Sequence, residues 1–283
     1  MKTVKGLHEK MRTFENANTS FHQAARCKRY TNEVLAFSMV KEEELLRATE
    51  EIQNLTYRQG EYKIFKVFEP KERLIMALPF YDRVVQHMIC NAIQPVFENG
   101  FYYHSYACRS GKGMHAASDT LYQWMYETEV KQGLRMYAFK GDISKYFASI
   151  PHDKLKDENR RYIGDKKALM LMDDIIDHNG ILPDGVGIPV GNLTSQLFAN
   201  VYGNKLDKFC KHVLHIPYFV RYMDDFIILS DDLEQLKEWV KRIEEFLENE
   251  MLLHINPKST ILYAGNGIDF CGYIHYADHQ KVR

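Results

Sequence analysis

The sequence predicts an α+β fold, an antiparallel sheet backed by helices, and three features predict it. Strands and helices alternate without a parallel βαβ repeat. Two short apolar strands within Tyr218 to Ser230 meet at a tight turn. The segment after them is strongly amphipathic, with Leu233, Leu236, Val240, Ile243 and Leu247 at steps of three, four, three and four. A chain of 283 residues with 45% hydrophobic and 27% charged residues buries a sizeable core as one large domain or two modest ones. It is neither disordered nor collagen-like.

Taken in order, Thr31 or Asn32 caps a helix in which Val34, Phe37, Val40, Leu45, Leu46 and Ile52 recur at helical spacing, and Gln59-Gly60 ends it. Tyr62 to Phe68 alternates charge with bulk as a strand does, and Glu69-Pro70-Lys71 turns the chain. Arg73 to Glu98 reads as one buried helix, because Val84, Val85, Met88, Ile89, Ala92, Ile93 and Val96 form a broad apolar face. Met136 to Ile143 is a strand, Pro151 to Leu155 starts a helix, and the glycine-rich turn from Gly185 to Gly191 opens another through Leu197, Val201, Leu206 and Phe209. Asp232 to Met251 is the amphipathic helix.

Apolar runs such as Phe226 to Leu229 fall far short of the roughly 20 residues that cross a bilayer. Residues 1–10 carry lysines with no apolar block behind them, so the expectation is a cytoplasmic chain with no membrane partner. Five cysteines lie far apart without CxxC spacing, which predicts reduced thiols, mostly in the core, and the twelve histidines show no metal-site spacing. Charge is polarised: residues 1–30 hold seven Lys/Arg against two acids, and residues 221–250 hold four against ten. A basic front end suits phosphates, although solvated helix faces explain either segment alone.

The most informative string is Arg221-Tyr222-Met223-Asp224-Asp225-Phe226. Hairpin tips favour Asn-Gly or Asp-Gly, whereas this tip is expected to hold two aspartates between Met and Phe. Adjacent like charges between apolar strands cost stability unless a cation is bound, and an acidic solvated turn is the plainer alternative. Asp142 ends the strand that begins near Arg135, so three carboxylates converge if the strands are neighbours. Such a cluster suits two Mg²⁺ ions about 3.5 to 4 Å apart; an acid that caps the next helix is the bland reading of Asp142 alone. In Gly187 to Gln196, glycines allow close backbone approach and a helix N-terminus follows, with a simple N-cap by Asn192 or Thr194 as the alternative.

In this order the strings resemble the palm motifs of reverse transcriptases: Asp142 to Phe147, Gly187 to Gln196, Tyr222 to Asp225, Leu252 to Lys258 and Phe270 to Tyr273. Lys71 to Ile75 and His104 to Gly113 look like their fingers motifs. The resemblance covers roughly Glu33 to Tyr276. Val190-Gly191 and Ser195-Gln196 stand where retroviral enzymes have Gln-Gly and Ser-Pro. That variant, with Ser105-Tyr106-Ala107-Cys108-Arg109, is similar to the reverse transcriptases of diversity-generating retroelements of bacteria and phages.

The resemblance implies a right-hand polymerase fold, with helical fingers over residues 1–115 interleaved with an antiparallel-sheet palm over 116–283. Only residues 274–283 follow the last motif, so the helical thumb is expected to be missing or truncated. It also implies an RNA template, a DNA or RNA primer, dNTPs, a cDNA product, low fidelity opposite template adenines and a small basic ring-forming accessory protein. Asp142, Asp224, Asp225 and the Ile143 carbonyl would bind two Mg²⁺, with Mn²⁺ as a substitute. Lys71 and Arg73 would neutralise the triphosphate, or be a solvated pair. Phe147 would crowd a ribose 2′-OH, or be core; Lys258 would act as general acid, or be a surface charge. Val190 and Gly191 would line the nucleotide. Arg109, Lys112, Ser195, Gln196, Cys271 and Gly272 would contact template or primer. Other bacterial reverse transcriptases (group II intron maturase-like, retron, antiphage) share the pattern. A catalytically silent RNA-binding scaffold would be expected to lose an aspartate. Nucleotide cyclases carry a Gly-Gly-acid hairpin that Arg221-Tyr222-Met223 replaces.

Overall fold

The structure is a computed structural model that describes residues 3–68 and 72–283. The chain opens with four helices, α1 (Leu7–Met11), α2 (Phe14–Ala24), α3 (Asn32–Met39) and α4 (Lys41–Asn54). Thr13 caps α2 by accepting the Asn16 N–H. The single helix expected from residue 31 to 59 is instead α3 and α4. It breaks at Val40, a β-branched residue at φ −121°, just before Glu42-Glu43-Glu44, acids that favour a new N-terminus. Leu45 and Ile52 are buried as the pattern requires, whereas Leu46 faces solvent.

Strands β1 (Lys63–Phe68) and β2 (Glu72–Ala77) form an antiparallel ribbon, and α5 (Phe80–Glu98) follows. This corrects the expectation of one helix from Arg73. Leu74-Ile75-Met76 is too short to distinguish helix from strand by periodicity, pairing with β1 decides for strand, and Pro79 then starts the helix. Next come α6 (Met114–Met125), β3 (Tyr137–Asp142), α7 (Tyr146–Ser149), α8 (His152–Tyr162), α9 (Lys166–Asp177) and α10 (Leu193–Lys208). The chain closes with β4 (Tyr218–Tyr222), β5 (Asp225–Ser230), α11 (Leu233–Phe246), β6 (Thr260–Tyr263), β7 (Ile268–Phe270), β8 (Tyr273–His275) and β9 (Gln280–Val282). No described helix is long and apolar enough to cross a membrane.

By its contacts the chain divides into two compact units, Met1–Gly100 with Ile150–Phe198, and Phe101–Ser149 with Ala199–Arg283. Within the first, Phe37 stacks on Phe21 with centroids 5.6 Å apart and meets Phe80 edge-on at 5.0 Å. Within the second, an antiparallel sheet of order β4-β5-β3-β6 buries one face with α6 around Leu121, Met125, Ala138, Val220 and Ile227, and α11 packs on β3 and β5. Strands β7 to β9 make a separate antiparallel sheet. Of the cysteines only Cys90 and Cys210 are buried; Cys27 and Cys108 are exposed and Cys271 lies between, so the expectation of mostly core thiols is corrected.

Candidate active site

The acids come together through strand register. β3 runs antiparallel to β5, with Gly141 opposite Phe226 and Asp142 opposite Asp225. β4 pairs with β5 up to Tyr222 opposite Asp225, so the tip of the turn is Met223-Asp224, not the two aspartates, and Asp225 is the first residue of β5. All three acids are half-buried. Gly141 is required where it stands. The Phe226 ring lies so close that a Cβ on residue 141 would sit 2.3 Å from it, and this contact lets the sheet carry a large apolar residue directly behind Asp142.

Local hydrogen bonds fix Asp142 and the turn. The Asp142 N–H donates to Ser259 Oγ at 3.0 Å, Asn256 Nδ2 donates to Asp142 Oδ2 at 2.6 Å, and the Asn256 N–H donates to the Asp142 carbonyl at 2.7 Å. The Ile143 N–H donates to the Asp224 carbonyl at 3.3 Å. Met223, buried and non-glycine, holds φ +60°, and its carbonyl accepts from Arg221 Nη1 at 2.8 Å. Nothing in the local sequence marks a role for Asn256 or Arg221. Asn256 followed by Pro257 was the one available signal for a fixed turn at that point.

Oxygen is the donor chemistry of this corner. Burial, and then the nearby Asp225 carboxylate, push the Cys271 thiol up to about 12. Carboxylate and carbonyl oxygens suit a hard divalent cation such as Mg²⁺. Among the described residues no three His, Cys, Asp or Glu side chains are already gathered closely enough to hold an ion. The register brings the three residues to adjoining backbone positions, but the carboxylates are not drawn together into the cluster expected from the sequence.

The remaining predicted residues fall in both units. Phe147 is half-buried beside Tyr146, and Lys258 is exposed. Arg109 is turned inward: its Nη1 donates to the carbonyls of Tyr102 and Ser105, both at 2.7 Å. Lys112 donates to the Tyr103 carbonyl and lies 3.5 Å from the centroid of that ring. Cys271 and Gly272 form the β7–β8 turn, both at positive φ.

In the other unit Arg73 is exposed on β2, whereas Lys71 lies outside the described residues. The Val190 carbonyl accepts the Met76 N–H at 3.1 Å, which docks the glycine-rich loop on β2. Ser195 is buried. Asn192 stands at the N-cap position, its carbonyl accepting the Gln196 N–H at 3.3 Å, but among the described residues neither it nor Thr194 caps the helix through its side chain. Asn192 donates its amide to Tyr62 Oη, Thr194 Oγ1 is buried with no hydrogen-bond partner among the described residues, and Gln86 Oε1 takes the Leu193 N–H. A cavity of about 240 Å³ there is lined by Gly191 and Gln196 together with Arg26, Lys28, Arg83 and His87. Burial, and then the charge of Lys28, lower the His87 pKa and favour its neutral form.

Comparison with known proteins follows the same lines. The model of the reverse transcriptase (RNA-dependent DNA polymerase) family matches residues 66–275. Protein YkfC of Escherichia coli (strain K12) is 25% identical over 238 residues, covering 68% of this chain and 60% of that protein. An uncharacterized 91 kDa protein in the cob intron of Schizosaccharomyces pombe is 29% identical over 137 residues, covering 47% of this chain and 16% of that protein. The chain thus spans 60% or less of the length of these relatives. Apo telomerase from Candida tropicalis superposes with a TM-score of 0.60 at 12% identity, over 79% of this chain and 48% of that one, a likeness of fold. With a family match over most of its length, the chain belongs to the reverse transcriptase family.

Proposed function

We propose that this chain is an RNA-directed DNA polymerase that makes cDNA by two-metal nucleotidyl transfer. The observation that carries the reading is the register of Asp142 against Asp225, with Asp224 at the adjoining turn. Asp142, Asp224, Asp225 and the Ile143 carbonyl would hold Mg²⁺ or Mn²⁺, which would supply activation of the primer hydroxyl and charge neutralisation on the triphosphate, and Asn256 aims Asp142 through its 2.6 Å hydrogen bond. Lys258 gives a proton to the departing pyrophosphate. Phe147 excludes a 2′-OH. Lys71 and Arg73 meet the triphosphate, and Val190 and Gly191 line the base pair. Lys112, Gln196, Cys271 and Gly272 contact template and primer, while the buried Ser195 supports the loop from within rather than touching them. Arg109, engaged with its own loop, shapes that surface more than it binds phosphate. In this reading the unit containing β3 to β9 is the palm, and Arg26 and Lys28 contribute to the basic side of the fingers.

The Val190-Gly191 and Ser195-Gln196 pattern supports the finer reading, the error-prone, cytoplasmic enzyme of a diversity-generating retroelement working with a basic ring-forming partner. The relative within the cob intron favours a second one, an intron-type polymerase. Flanking DNA with a near-repeat pair differing chiefly at adenines distinguishes the first from the second. Primer extension on an RNA template with Mg²⁺ tests the activity itself. Asp224→Asn is expected to lower the rate by at least about 100-fold at unchanged melting temperature. Wild-type extension by a folded Asp224→Asn protein sinks the assignment.

A further inference from the structure

Arg221 is fully buried, in the strand that leads into the catalytic turn. A guanidinium in a core is expensive unless each donor is matched, and here they are matched in two directions. Toward α10, Nε donates to Asp207 Oδ1 at 2.6 Å and Nη2 to Asp207 Oδ2 at 2.7 Å, a bidentate pair that is itself fully buried. Burial works against the Arg221 charge, but Asp207 overrides it and holds the group protonated. Nη2 also donates to Ser105 Oγ at 3.1 Å. Toward the turn, Nη1 donates to the Met223 carbonyl at 2.8 Å.

The arrangement is built around this side chain. A Cβ on Gly203 would stand 2.6 Å from Arg221 Nη1 and 2.9 Å from Tyr146 Oη, so α10 approaches closely only because it has glycine there. The backbone of Arg221 is gripped as well: its N–H donates to the His104 carbonyl, and its own carbonyl accepts from the Tyr106 N–H, both at 3.0 Å. An apolar residue would serve the stability of such a core as well as an ion pair does. What an apolar residue lacks is a donor for the carbonyl of Met223, a non-glycine residue held at positive φ immediately before Asp224.

We propose that Arg221 is a positioning residue for polymerisation: anchored on Asp207 and Ser105, it holds the Met223 carbonyl and thereby sets the direction of Asp224 and Asp225. The inference rests on the reading of those two aspartates as metal ligands. The test separates positioning from packing. The double variant Arg221→Met with Asp207→Leu removes both charges together, which keeps the core neutral and folded while it strips the donor from the turn. Arg221→Lys keeps the charge, but one ammonium cannot serve Asp207, Ser105 and Met223 at once.

For both variants, single-nucleotide insertion is expected to show kcat lowered by about 10- to 100-fold, since small misplacements of reacting groups cost that much. The half-saturating Mg²⁺ concentration rises several-fold with KM for the primer–template unchanged. Should neither variant fold, Ser105→Ala, which removes one hydrogen bond, is expected to raise the Mg²⁺ midpoint about two- to five-fold. A folded variant with wild-type kcat and Mg²⁺ midpoint, alongside an inactive Asp224→Asn, overturns the positioning role and leaves the metal site standing. An active Asp224→Asn overturns both.

Discussion

In the β1–β2 hairpin, Lys63 to Lys66 are all exposed and Met76 is the one buried strand residue, whereas in the β4–β5 hairpin eight of eleven strand residues are buried. Both are antiparallel ribbons of similar length. A two-stranded ribbon with little buried face is marginal by itself and keeps its shape through its ladder and its ends. The inner hairpin has sheet neighbours and helices to hold it, so it tolerates two adjacent acids and a residue at positive φ. The contrast teaches that the strained, charged feature is carried by the rigid ribbon, where packing over-determines the backbone.

Substitutions break or sharpen that contrast. Phe226→Ala, which empties the space over Gly141, is expected to cost about 3–5 kcal/mol and to lower the melting temperature by many degrees. A drop of under about 1 kcal/mol in denaturant titrations would show that the inner hairpin is not packed as described. If, as proposed, the ring excludes the 2′-OH by bulk, Phe147→Ala should leave the fold standing and admit ribonucleotides about tenfold more readily. Competition of ribo- with deoxynucleotides measures it, and a variant that simply melts makes the ring core.

Smaller still is Val190→Gln on the glycine-rich loop. A side-chain amide adds one hydrogen bond of about 1 kcal/mol, so misincorporation opposite adenine should fall a few-fold with other template bases nearly unaffected. Insertion assays on four template bases check it; an unchanged wrong-to-right ratio opposite adenine removes the fidelity role. Least affected is Phe68→Ser on the outer ribbon, 68% exposed, where stability should move by no more than about 0.5 kcal/mol. A large loss in a thermal melt there would erase the difference between the two hairpins.

The sequence by itself determined the α+β class, the strand ending at Asp142, the hairpin within Tyr218 to Ser230 and the amphipathic helix after it, because each is written in local periodicity and turn chemistry. Three-residue apolar runs are not, and Leu74-Ile75-Met76 became a strand only through its partner β1. The tip of the hairpin shifted by one residue for the same reason: cross-strand pairing of Tyr222 with Asp225 chooses it, not the order of letters. Asn256 and Arg221 had no local signature of function. A charge within an apolar strand reads as solvent-facing in a chain, and it becomes a fully buried clasp only where a helix brings Asp207 and Gly203 to it from 14 and 18 residues before. Tertiary structure decided those residues because the energy of a buried charge depends on what surrounds it in space.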